Sequence, residues 1–285
     1  MKSTEVIPPI LVVTILCVSF FGFSVSEKQI RWKSLFNAKD LSGWDTWLGP
    51  DLDLRGKPVT NKPLGLNNDP RHVFSIVRQD GENVIRISGE NWGALSSSRE
   101  YENYHLHLQF KWGTLTWGQK KNRKKDSGLL YHSVGSYGAD YGAWMRSQEF
   151  QIEQTNCGDY WGVAGGMAEI PAVKCRDTSY QYSPGAELMT FKQGGSHGRN
   201  CVKFGDAENP TGKWNSIDLY CHGDTSIHVV NGRPMMVLYH NSQIENDQQV
   251  PLVRGEIQLQ SEGAEIFYKD LKIESISGLP AEFLR

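Results

Sequence analysis

A chain of 285 residues with a formal net charge of −2 and 22% charged residues has neither the extreme charge nor the depleted apolar content of a disordered tail. Its one concentrated basic run, Lys120-Lys121-Asn122-Arg123-Lys124-Lys125, reads as a solvated hairpin tip. A nucleic-acid surface needs a broader basic face with interleaved aromatics, so no nucleic-acid partner is expected.

The first element in chain order is an export signal. Lys2 precedes an apolar run over 10–23, and Ser24-Val25-Ser26 forms a small-x-small cleavage site before Glu27. The expected organisation is a leader over 1–26 and one domain over 27–285, exported to a periplasmic or extracellular compartment. The apolar run falls short of the roughly 20 residues of a transmembrane helix, so stable membrane insertion is not expected. Lipidation at Cys17 is the weaker alternative, because Thr14-Ile15-Leu16 lacks the small residue such sites carry. Without the leader, Cys157, Cys175, Cys201 and Cys221 remain. An even number in an oxidising compartment suggests two bridges, Cys157 with Cys175 and Cys201 with Cys221 being favoured among three connectivities.

The mature chain of about 259 residues suits a single all-β domain. Alternating segments bounded by Gly, Pro, Asn and Asp predict strands over 73–79, 83–88, 94–97, 104–112, 128–133, 149–154, 216–222, 226–230, 233–239, 255–261 and 266–274. Asn231-Gly232 is the pair a type I′ hairpin turn demands. Segments 49–72 and 157–213 are rich in Gly, Pro, Asn and aromatics and read as long loops.

Three predicted strands are apolar on one face and polar on the other. His105, His107, Gln109 and Lys111 oppose Leu106, Leu108, Phe110 and Trp112; Glu149, Gln151 and Glu153 oppose Phe150 and Ile152; Glu256, Gln258, Gln260 and Glu262 oppose Ile257, Leu259 and Ser261. Such strands build a two-sheet sandwich. If the three polar faces share one curved sheet, they line a groove. Two carboxylates flanking an amide, with Asp159, Tyr160 and Trp161 close behind and nine tryptophans in the chain, point to sugar chemistry, since Gln bonds hydroxyls as donor and acceptor and aromatic faces stack on rings.

The ordered set Leu35-Phe36-Asn37 to Ser42-Gly43-Trp44, Asp126-Ser127-Gly128-Leu129-Leu130-Tyr131-His132, Glu149-Phe150-Gln151, Gly212-Lys213-Trp214-Asn215, Val230-Asn231-Gly232, Gly255-Glu256-Ile257-Gln258-Leu259-Gln260 and Tyr268-Lys269-Asp270-Leu271 resembles a family once described as a domain of unknown function (DUF1080) and now as 3-keto-disaccharide hydrolases. The resemblance spans about 33–277, essentially the mature chain. It implies a concanavalin-like jelly-roll sandwich and cleavage of glycosides oxidised at carbon 3. The chain departs from the family's usual pattern at Asp126, Gln109, His132 and Glu262, where members commonly show Asn, Glu, Arg and His.

The implied chemistry assigns Glu149 as base, His132 as acid or enolate stabiliser, and Gln151, Gln260 and Lys111 as hydroxyl and carbonyl contacts. Trp161, Tyr141 and Trp144 are candidate stacking platforms, and Gln109, Glu153, Asp159 and Glu262 complete the expected substrate-binding set. No cofactor is certain. Asp126, Glu149, Glu153, Asp159 and Glu262 could offer oxygens to a divalent cation, although no loop has calcium-site spacing. Two rival readings are a retaining glycosidase using Glu149 and Glu153, and a non-catalytic sugar-binding module.

Overall fold

A computed structural model describes Met1 and residues 32–284; the expected leader and Cys17 lie outside the described residues. The period-2 alternation becomes an all-β fold of two antiparallel sheets, with only two single-turn 3₁₀ segments, Gly118–Lys120 and Ala281–Phe283, among the described residues. One sheet has eight strands in the order Asn200–Cys201, Tyr160–Val163, Arg146–Glu153, Asp126–Val134, Glu256–Ser261, Gly93–Ser97, Trp44–Leu52, Pro58–Leu66. The main path of the other runs Ser179–Tyr182, Met167–Arg176, Arg233–Glu245, Thr225–Val230, Asn215–His222, Tyr104–Thr116, Ala264–Ser275, Glu82–Ile87, Phe74–Gln79. Residues 32–284 fall within one compact unit. No helix among the described residues is long and apolar enough to cross a membrane.

The apolar faces meet as alternation requires. Leu129, Tyr131, Phe150, Ile152, Ile257 and Leu259 pack against Leu106, Leu108, Phe110, Trp112, Ile217, Leu219 and Tyr268, all buried. Truncating one of the larger side chains, such as Phe150, would cost about 3–5 kcal/mol by lost transfer energy and cavity formation. Asn231 and Gly232 both adopt positive φ, 48° and 76°, and close the hairpin between Thr225–Val230 and Arg233–Glu245 as their sequence demanded.

Four expectations are corrected. Segments 49–72 and 157–213 are not long loops: they contain Pro58–Leu66, Tyr160–Val163, Met167–Arg176, Ser179–Tyr182, Leu188–Phe191 and Asn200–Cys201. Most of these strands are short, with Pro and Gly inside or beside them, so local periodicity is weak and neighbouring strands supply the order. The strand bearing His105, His107, Gln109 and Lys111 belongs to the sheet opposite Glu149, so its polar face cannot join the same groove. The basic run is no hairpin tip, because the strands it connects, Tyr104–Thr116 and Asp126–Val134, belong to different sheets. Neither disulfide is present, all four described cysteines being free. Cys221 packs in the inter-sheet core while Cys201 belongs to a second cluster with Tyr160, Ile170 and Phe191; Cys157 is buried with the former and Cys175 is exposed. Fold position, not sequence spacing, separates the expected partners.

Candidate active site

Register across the eight-stranded sheet assembles the site. Asp126 pairs with Glu153, Gly128 with Gln151 and Leu130 with Glu149. On the other side Gln258 pairs with Leu130 and Leu259 with Leu129, which brings Gln260 beside Gly128, while Trp161 pairs with Glu149. Cross-strand partners share a face. The apolar partners Phe150, Leu129 and Leu259 therefore enter the core, and Asp126, Glu149, Gln151, Glu153, Trp161, Gln260 and Glu262 line one cavity of about 360 Å³ on the other face.

Gly128 sits at its floor. A Cβ there would lie 2.4 Å from Glu149 Oε1 and 2.5 Å from Gln260 Oε1, distances real Cβ atoms do not tolerate. Glycine is what lets the carboxyl and the amide oxygen converge over the backbone. Asp126 Oδ1, Gln151 Oε1 and Gln260 Oε1 are buried without a hydrogen-bond partner. Most buried polar atoms are satisfied, so three orphans on one cavity wall mark a surface built for a ligand or ordered water.

The remaining walls are aromatic and charged. Trp92 and Trp144 stack at 5.5 Å, and Tyr141 meets both edge-on at 6.0 and 6.1 Å. Trp144 is anchored by its indole N–H donating to the Gly93 carbonyl at 3.0 Å. Tyr141, 67% exposed, takes a left-handed φ of 49° and presents its ring at the rim. Arg199 donates to Asp140 at 2.8 Å, and its guanidinium lies 5.5 Å from the Trp161 ring centre and 5.9 Å from that of Tyr141. Lys120 donates to Asp126 and stands 3.8 Å from both Glu153 and Glu262.

Burial controls protonation. It pushes the Glu149 carboxyl well above the usual range, with the neighbouring Asp126 charge adding to the effect and Arg199 opposing it. Burial likewise raises Asp126 to about 6 against the pull of Lys120, and it raises Glu262 well above its ordinary value. Lys120, despite its own desolvation, is held above the ordinary lysine value by Asp126 and Glu262. Its ammonium stands among three of the five oxygen donors named for a cation. Asp159 is turned aside, its Oδ1 accepting from the Lys203 backbone N–H at 2.9 Å, and no group of three or more His, Cys, Asp or Glu able to hold a metal occurs among the described residues.

Of the expected site residues, Glu149, Gln151, Glu153, Trp161, Tyr141, Trp144, Gln260 and Glu262 come together. Asp159 is buried, with its carboxyl raised to about 7 by burial, and lines an adjoining cavity. Three candidates lie elsewhere. Simple alternation with Asp126, Gly128 and Leu130 would aim His132 into the groove, but a register shift between Tyr131 and Val134 and a φ of 52° turn it inward. There it is fully buried against Tyr104 and Tyr131, with Nδ1 3.0 Å from the Leu252 carbonyl oxygen. Burial lowers its pKa to about 4, so it is a neutral core histidine. Lys111 donates to Asp80 at 2.6 Å on the opposite sheet, and Gln109 is on that strand too. Sequence reasoning missed Lys120, Arg199, Asp140 and Trp92. Lys120 was hidden inside the basic run; Arg199 lies in a stretch without periodicity.

The sequence pattern of the 3-keto-alpha-glucoside-1,2-lyase-like domain matches residues 31–274. The chain belongs to this family. Among solved structures, two candidate glycosyl hydrolases from Parabacteroides distasonis are similar: one at 20% identity and TM-score 0.47, covering 86% of this chain and 100% of its own, the other at 18% and 0.47, covering 86% and 94%. A carbohydrate-binding module from Bacillus subtilis is similar at 9% identity and TM-score 0.37, covering 71% and 92%. No curated protein matches the chain. Membership in the family supports a carbohydrate-active, glycosidase-like protein acting on a carbohydrate substrate.

Proposed function

We propose that the protein is exported and cleaves glycosides whose sugar is oxidised to a ketone at carbon 3. The observation that carries the reading is the convergence of Glu149 and Gln260 over Gly128, in a groove that also holds unpaired amide oxygens and two cations. A carbonyl at carbon 3 acidifies the hydrogen on carbon 2. Glu149 takes that proton, the bond between carbon 1 and the leaving oxygen breaks, and water then adds across the new double bond, so the sum is hydrolysis. A carboxyl raised by burial is a better-matched base for a proton on carbon than an ordinary glutamate.

With His132 in the core, its role passes to other groups. Arg199, whose charge acts on Glu149, stabilises the enolate oxygen. The proton for the departing oxygen comes from the Lys120, Asp126 and Glu262 cluster, where burial keeps carboxyls protonated further toward neutral pH than in water. Gln151 and Gln260 bind hydroxyls, while Trp161, Trp144 and Tyr141 offer ring faces. Direct displacement by Glu149 and Glu153 fits less well: four residues along a strand span roughly 13 Å, against the roughly 5–5.5 Å of a retaining pair.

Heavy water tests the mechanism. Elimination places deuterium at carbon 2 of the released sugar and leaves the unoxidised glycoside intact. Efficient cleavage of the unoxidised glycoside without deuterium uptake would overturn the reading and favour direct displacement. Binding without turnover is the second reading, favoured by the exposed Tyr141 ring at the rim; it stands if 3-keto glycosides bind and are released unchanged.

A further inference from the structure

The groove does not end at Glu149. Glu153 lines three cavities: the one described, a second of about 360 Å³ and a third of about 630 Å³, and Trp161 is the wall shared by the first and third. The part of the basic segment beyond Lys120, which the mechanism does not use, runs along this extension. Arg123 and Lys124 line the second cavity, and Lys124 and Arg176 line the third.

These three cations differ from the others near the groove. Lys120 is enclosed by carboxylates and Arg199 is tied to Asp140. Among the described residues, no carboxylate lies within 4 Å of Arg123, Lys124 or Arg176; the Lys124 ammonium has only the neutral Asn156 amide oxygen, at 3.2 Å. The acids of the two cavities are already engaged. Glu153 faces Lys120 and the Asn156 amide, Glu262 faces Lys120, and Asp159 accepts the Lys203 N–H. Burial also raises Asp159 to about 7, which removes part of its charge near neutral pH. What remains is three cations without a close carboxylate, Lys124 acting on Asp159 only from beyond 4 Å, on the edge of polar cavities that share Glu153 and Trp161 with the reaction groove. Cations so placed around a concave surface attract anions.

We propose that Arg123, Lys124 and Arg176 form a subsite for an anionic group, a carboxylate or a sulfate ester, on the leaving-group side of the substrate. The substrate class is then a glycoside whose departing portion is an acidic sugar. This deepens the proposed function and rests on the groove being a carbohydrate site.

Titration calorimetry on the full protein with three unoxidised disaccharides tests it: one neutral, one ending in a uronic acid and one carrying a sulfate ester. The acidic ligands bind about tenfold more tightly than the neutral one at low salt, and the preference shrinks as sodium chloride is added, as expected for exposed charges. The preferred acid tells whether carboxylate or sulfate is the natural group. In Lys124→Gln/Arg176→Gln the preference falls toward unity while neutral-sugar affinity and melting temperature stay close to wild type. Equal binding of neutral and acidic disaccharides, no binding of any, or a preference that survives the double substitution each overturns the subsite. Because these ligands need no chemistry, that failure is separate from failure of the elimination mechanism, which shows only as inert 3-keto glycosides.

Discussion

Two polar sheet faces of this protein read alike in sequence and differ in kind. The Glu149–Gln260 face holds buried oxygens with no partner. On the face of the opposite sheet, the histidines and the lysine are engaged with acids: His105 bonds Asp218 at 2.8 Å and Glu274 at 3.2 Å, His107 bonds Asp218 at 2.8 Å, and Lys111 bonds Asp80 at 2.6 Å. Tyr220 stacks on His105 at 3.9 Å and Trp32 covers it edge-on at 4.7 Å. A closed network spends its hydrogen-bonding capacity on the fold; an open one keeps it for a ligand. Between these two faces the difference lies in how far the polar groups are engaged with one another, since acids and other polar groups occur on both.

Glu149→Gln should have the largest effect on turnover, a loss on the order of 10²–10⁴ with sugar affinity largely kept, if the residue is the general base. In the wild type, kcat/KM should fall as pH drops through the raised Glu149 pKa, because the base must be deprotonated. A rate unchanged by the substitution would end its role.

Gly128→Ala tests the open face by volume alone. Its Cβ displaces Glu149 and Gln260, and misplacing reacting groups by about an ångström costs on the order of 10²-fold in rate. The counterpart in the opposite sheet is Gly113→Ala, whose Cβ would lie 2.3 Å from Glu265 Oε2, in a carboxylate already paired with Arg86 at 2.7 Å. That substitution should lower stability by about 1–3 kcal/mol and leave turnover per folded molecule intact. Denaturant melts and single-turnover rates on both variants decide the matter; the reverse pattern would abolish the distinction.

His132→Gln should behave as a core substitution, costing about 1–3 kcal/mol without a matching loss of kcat. It should also flatten the acid limb of the stability profile. Burial holds His132 at about 4 and His228 at about 3, below the ordinary value of 6.5, so the unfolded chain takes up protons first as pH falls. Their contribution is complete above about 6.5 and drains away toward 4. Asp126 has the opposite sign: with its carboxyl raised to about 6, its contribution is complete below about 4 and is lost as pH rises through 6. Melting temperatures across pH 4–8 would resolve the two limbs.

The smallest effect belongs to Lys111→Met. It removes an ion pair whose acid is largely in solvent and a cation 5.0 Å from the Trp214 ring centre, so melting temperature should drop slightly and turnover stay the same. A large loss of activity would return this strand to the site.

Much of the site was legible because a strand's period is a local property. Glu149, Gln151 and Glu153 had to share a face, as did Gln260 and Glu262, and Phe150 and Leu259 had to oppose them. The all-β class, the Asn231-Gly232 turn and the family resemblance were open to reading for the same reason: each depends on residues close in sequence or on an ordered set of them. Which sheet received each strand was not local. Tyr104–Thr116 alternates as cleanly as Arg146–Glu153, and only the pairing partners send one polar face to the groove and the other to a closed network. His132 was misplaced by one bulge, a two-against-one register choice that depends on the neighbouring strand, with Gly255 packed against its backbone. The arrival of Lys120 and Arg199 from segments without periodicity, and the separation of the cysteines between two core clusters, were likewise decided by tertiary packing, because contacts between residues far apart in sequence leave no spacing along the chain to read.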